Sequence, residues 1–160
     1  MRLSNLLMAV LLLSCWACFK PSYTVDQMPA DRLEFGEGES GEHTTVYALL
    51  PTGQLYQRNI EKDSFIQLKV LPRDEVKDVF RKRDSIRLLS YDYFFPSDNY
   101  QFLTQMDATT EHTISWGANY NQAPEEIASF YRLLISHVTG KEEKKESQQG
   151  KKEESKGFGW

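Results

Sequence analysis

The chain has 160 residues, 26% of them charged and 40% hydrophobic, with a formal net charge of −4. Between Leu33 and Thr139 lie 107 residues, enough for one compact domain with a single core and too few for two. With Arg2 and the six Lys and five Glu of residues 141–156 set aside, 12 basic side chains face 18 acidic ones, a net −6. That balance argues against nucleic acid or anionic lipid as the main partner.

The first nineteen residues carry one early Arg2, an apolar run over residues 6–13 and no acidic side chain, the pattern of a secretory signal. The run is shorter than the roughly 20 residues of a spanning helix, and Lys20-Pro21-Ser22 ends it. Leu12-Leu13-Ser14-Cys15 resembles the lipobox of bacterial lipoprotein precursors, with Leu13 where a small or β-branched residue is usual. The resemblance implies that residues 1–14 are removed as a lipoprotein signal peptide and that Cys15 becomes the lipid attachment site. Fatty acyl chains such as palmitate would then hold the protein to a membrane, each buried CH₂ contributing about 0.8 kcal/mol. No cysteine follows Cys18, so no disulfide can staple the body. Residues 15–32 read as a tether, 33–140 as a single α+β domain and 141–160 as a charged tail.

In chain order, the first patterned segment is Phe35-Gly36-Glu37-Gly38-Glu39-Ser40-Gly41. A phosphate-cradling loop is rejected on charge: Glu37 and Glu39 would repel an anion, and no Lys-Ser/Thr pair follows. A bulged loop or turn is expected instead. Residues 44–50 and 54–60 flank Pro51-Thr52-Gly53 and predict a β-hairpin; residues 65–70 add a short strand or a lead-in. Pro72, followed by Asp74 and Glu75, opens a helix, with Val76, Val79, Phe80 and Arg83 on one narrow face. Residues 100–107 and 111–116 form a second hairpin around Ala108-Thr109-Thr110. Pro124-Glu125-Glu126 opens a second helix carrying Ile127, Phe130, Tyr131, Leu134 and Val138, and Gly140 stops it. The expected fold is α+β: an antiparallel sheet of four to five strands built from two β-hairpins, each followed by a helix, with the helices on one face. Residues 141–156 contain no apolar side chain and are expected to be disordered, with Phe158 and Trp160 beyond them.

Chemistry-bearing residues are sparse. His43, His112 and His137 lack the spacing of a local metal pair. His112, Ser115 and one of Asp92, Asp98 or Asp107 could be drawn as a triad, but Ser115 lacks the Gly-x-Ser-x-Gly turn that exposes a nucleophile. No catalytic, cofactor-binding or metal-ligating residue is therefore expected. Residues 91–100 hold five aromatics, Tyr91, Tyr93, Phe94, Phe95 and Tyr100, more than a connector requires. They plug the end of the core or form an exposed patch for a protein or glycan.

Phe35-Gly36 with Gly38 and Gly41, the Val46-Tyr47-Ala48-Leu49-Leu50-Pro51-Thr52-Gly53 turn, Asn99-Tyr100-Gln101-Phe102, His112-Thr113-Ile114-Ser115-Trp116-Gly117 and residues 124–131 resemble a group of small envelope lipoproteins of Gram-negative bacteria. The resemblance spans residues 35–138, with Ser97-Asp98 where a Gly is expected before Asn99. It implies an α+β lipoprotein body and supplies no catalytic residue. The expected protein is a non-enzymatic envelope lipoprotein of the outer membrane, facing the periplasm. Its partners would be the membrane, through lipidated Cys15, and an envelope protein or glycan. The alternatives are a periplasmic enzyme inhibitor, using an ordered loop at residues 91–99 or 35–41, and a small hydrolase using His112.

Overall fold

A computed structural model describes residues 22–39, 44–117 and 122–140. The expected signal peptide, Cys15, Cys18, His43 and the charged tail lie outside the described residues.

Eight strands run in chain order: β1 (Ser22–Thr24), β2 (Arg32–Glu39), β3 (Thr44–Leu49), β4 (Gln54–Asn59), β5 (Ser64–Val70), β6 (Phe94–Phe95), β7 (Asn99–Met106) and β8 (Glu111–Gly117). Two helices complete the described fold, α1 (Arg73–Ser85) and α2 (Glu125–Thr139). All eight strands share one sheet in the order β1-β5-β4-β3-β2-β7-β8-β6. Every neighbouring pair is antiparallel except β6 with β8, which is parallel.

This overturns the expectation of four to five antiparallel strands with a helix after each hairpin. The molecule is a sheet-dominant, eight-stranded mixed sheet carrying only two helices among its described residues. The largest difference is β2. Its glycines suggested a loop, yet it is the central strand, paired with β3 from Leu33↔Leu49 to Gly38↔Thr44 and with β7 from Arg32↔Met106 to Glu39↔Asn99. The glycines make room for neighbours. A Cβ on Gly36 would lie 1.9 Å from the Thr45 carbonyl oxygen and 3.1 Å from the Phe102 ring, and one on Gly38 would lie 2.5 Å from the Tyr100 ring. The edge strands β1 and β6, of three and two residues, are too short to show a period of two. β1 also lies in the stretch read as tether: Ser22–Thr24 pairs with β5, and Met28 behind it is buried.

Alternation along the strands divides the core. Leu33, Phe35, Leu49, Leu55, Leu103, Ile114 and Trp116 pack with Val76 and Val79 of α1 and with Ile127, Phe130, Tyr131 and Leu134 of α2. On the opposite face Val46, Ala48, Leu50, Tyr56 and Phe65 gather under Met28, with Tyr23, Val25 and Phe102 against them. Pro72 and Pro124 stand at the two helix starts, each followed by a pair of acids in the first turn, where a proline has no amide to lose. The Arg83 guanidinium lies 4.8 Å over the Phe80 ring, covering the narrow apolar face of α1 with its stem. Gly140, at φ 68°, closes α2.

Candidate functional site

The connector between α1 and β7 forms one edge of the sheet. After α1, Arg87 takes a left-handed φ of 52° and turns the chain into a short 3-10 turn, Leu88–Ser90. Leu88 is buried and anchors this turn, whereas its neighbour Leu89 is exposed. His112 of β8 meets the Tyr91 carbonyl oxygen through Nε2 at 2.7 Å. A carbonyl only accepts, so Nε2 carries the proton and donates.

Tyr93 is half-buried against the main core, and its hydroxyl donates to the Gln122 carbonyl at 3.0 Å. Its own carbonyl accepts from the Ser115 amide at 2.9 Å. Phe94 and Phe95 then lie parallel to Ser115 and Trp116 as the outermost strand. They are 63% and 52% exposed, the Phe95 ring edge-on to Tyr93 at 4.9 Å. Pro96 follows and lacks an amide, which limits further pairing along this edge. Two exposed phenylalanines thus sit on a backbone held at Tyr91, Tyr93 and β8.

The five aromatics named from the sequence do not form one surface. Phe94 and Phe95 are exposed at the edge, and Tyr91 and Tyr93 support them from partly buried positions. Tyr100 lies two strands inward on β7. Its ring covers Gly38, and its hydroxyl is 3.2 Å from the Thr44 hydroxyl on β3, so it clasps three strands. Leu89, the third exposed apolar residue of the connector, carried no sequence signal beyond being apolar.

The residues drawn as a triad are separated by the strand itself. His112 and Ser115 are three apart on β8, which sends their side chains to opposite faces. Ser115 donates to the Gln101 carbonyl at 3.2 Å, and His112 is engaged with Tyr91. Asp107 caps the β7–β8 turn, accepting from the amides of Thr109 and Thr110 at 2.8 Å each, and those donors hold its carboxyl below the usual carboxylate range. The stretch 35–39, one of the two loops considered for an inhibitor, is strand, with Phe35 fully buried. Among the described residues no three His, Cys, Asp or Glu side chains gather around a point where a metal could sit.

A groove of about 480 Å³ runs between α2 and the ends of β7 and β8, with Trp116, Tyr131, Gln101 and Arg132 among its walls. Its volume is within the range of ligand sites, but its inner polar atoms are already engaged. Trp116 Nε1 donates to Gln101 Oε1 at 2.9 Å, the Tyr131 hydroxyl to the Gly36 carbonyl at 3.1 Å, and Arg132 pairs with Glu125. Trp116 also packs edge-on against Tyr131 at 5.4 Å. The groove floor is braced internally, and the exposed Phe94 and Phe95 belong to β6, the strand beyond β8.

No family of known proteins matches the chain, and no curated protein matches it in sequence. No helix among the described residues is long and apolar enough to cross a membrane.

Proposed function

We propose that the chain is an envelope lipoprotein, anchored through Cys15, whose body acts by binding a protein or glycan rather than by catalysis. The observation that carries the binding role is the exposure of Phe94 and Phe95 on the outermost strand. Soluble surfaces leave single large apolar residues exposed without consequence, but neighbouring aromatics on an ordered edge mark interaction sites. Holding their backbone before contact lowers the ordering entropy that binding must overcome. Support for the anchor is the Leu12-Leu13-Ser14-Cys15 motif after an apolar run.

The mature start, Cys15-Trp16-Ala17-Cys18-Phe19-Lys20, carries no acidic run of the kind associated with surface export, which favours the periplasmic side of the outer membrane. A second reading, an inhibitor of a periplasmic enzyme, uses the same edge: a short strand pinned at Tyr91 and Tyr93 can present Phe94 and Phe95 to a cleft. The test is palmitate labelling with membrane fractionation of the wild type and of Cys15→Ala. The wild type takes the label and sediments with membranes, and Cys15→Ala does neither. Label retained in Cys15→Ala overturns the anchor.

A further inference from the structure

Seven large apolar residues are exposed among the described residues, and they divide between the two ends of the sheet. Leu89, Phe94 and Phe95 belong to the β6 end, whereas Ile60, Ile66, Leu68 and Val70, at 58%, 36%, 38% and 56% exposure, lie along β5 and the turn before it. Only β1 lies outside β5, and it covers just Ser64–Ile66. Residues 67–70 therefore have an outer edge with no partner strand among the described residues. The register shifts beside Leu55 and Tyr56 of β4, opposite this stretch.

We propose that this β5 edge rests on the lipid surface to which the chain is tethered, a proposal that builds on the Cys15 anchor. The length of chain decides the occupant. From Cys15 to Ser22 the backbone spans at most roughly 25 Å fully extended, and Ser22 is already paired with Ile66. An anchored body therefore keeps Ile66 of β5 within roughly 30 Å of Cys15, nearer than any other strand but β1. The far edge has more room: eight strands spaced about 4.8 Å apart put β6 roughly 34 Å from β1. The charges near the β5 edge balance, with Asp26, Glu61 and Asp63 against Arg58, Lys62 and Lys69, so a headgroup layer meets no net negative charge there despite the acidic body. Contact at headgroup depth leaves the open backbone groups hydrated, which burial in hydrocarbon would not. The two apolar ends then have different occupants: lipid at β5, and the partner at Phe94 and Phe95.

The test is hydrogen exchange on the full chain mixed with phosphatidylethanolamine–phosphatidylglycerol vesicles and on Cys15→Ala in buffer, with the mass of the Cys15 peptide read in the same digest. Exchange at residues 66–70 is expected to slow by roughly tenfold on vesicles, with no change at residues 88–95. The double variant Leu68→Glu/Val70→Glu, which alters only exposed positions, should keep its lipid and its circular dichroism while losing that protection. A Cys15 peptide carrying lipid, with no protection at 66–70, overturns the proposal and leaves the anchor standing. Protection without lipid on Cys15 upholds the membrane edge and removes the anchor. Equal protection in buffer overturns it in favour of residues 16–21, or of a second copy if protection rises with protein concentration.

Discussion

The Tyr131 hydroxyl donates to the Gly36 carbonyl at 3.1 Å, joining the last helix to the central strand across 95 residues of sequence. Both groups are buried, and burial with the nearby Glu37 raises the Tyr131 hydroxyl well above the ordinary tyrosine range. Tyr131→Phe keeps the ring against Trp116 and removes only the donor, so urea unfolding should show a loss of about 1–2 kcal/mol. Tyr131→Ala also opens a cavity beside Trp116, and the loss should rise to about 3–5 kcal/mol.

The two β2 glycines should respond differently to the same added methyl. On Gly36 a Cβ meets the Thr45 backbone, which cannot move aside, whereas on Gly38 it meets the Tyr100 ring, which can swing. Gly36→Ala should therefore cost more than about 3 kcal/mol or prevent folding. Gly38→Ala should cost about 1–3 kcal/mol and be partly relieved in Gly38→Ala/Tyr100→Ala. Additive effects in that double-mutant cycle would show that the ring does not set the cost.

These glycines also mark where the sequence stops being legible. The helices could be read because each carries its own period and punctuation: Val76 with Val79 after Pro72, and Ile127, Phe130, Tyr131 and Leu134 between Pro124 and Gly140. The two tight hairpins could be read from Pro51-Thr52-Gly53 and from Ala108-Thr109-Thr110. β2 could not, because it is held by partners on both sides, one of them more than 60 residues away, and its glycines answer to Tyr100 and Phe102 on that partner. The candidate site was legible as a cluster of aromatics but not as a surface. Phe94 and Phe95 differ from Tyr100 only through strand order, which no local pattern reports.

His137 gives the fold a pH dependence of known sign. Burial is the largest influence and lowers its pKa, outweighing Glu75, whose carboxylate lies 3.3 Å from Nδ1. With the folded pKa depressed below 6.5, the unfolded chain takes up the proton first as pH falls. Stability is therefore full above about pH 6.5 and declines as the pH drops through the folded value. Thermal melts between pH 7.5 and 5.5 should show a falling Tm in the wild type and a flatter profile in His137→Gln. An equal slope in both would assign the dependence to other groups.

Exposure and burial within the connector predict a split between stability and binding. Phe94→Ala should change unfolding free energy by no more than about 0.5 kcal/mol, and Phe95→Ala, which also removes the ring contact with Tyr93, by about 0.5–1.5 kcal/mol. Leu88→Ala, three residues from Tyr91 and fully enclosed, should cost about 2–5 kcal/mol. Urea titrations of the three variants check this; a large loss in Phe94→Ala would make that ring a structural plug.

The most direct test of the binding role is photocrosslinking in intact cells, with p-benzoylphenylalanine at position 94 and, as a control, at the exposed hairpin position Thr109. A discrete adduct from position 94 that is absent from position 109 and weakened by Phe95→Ala is the predicted result. No adduct from position 94, or the same adduct from both positions, would contradict the assignment of the β6 edge as the binding surface.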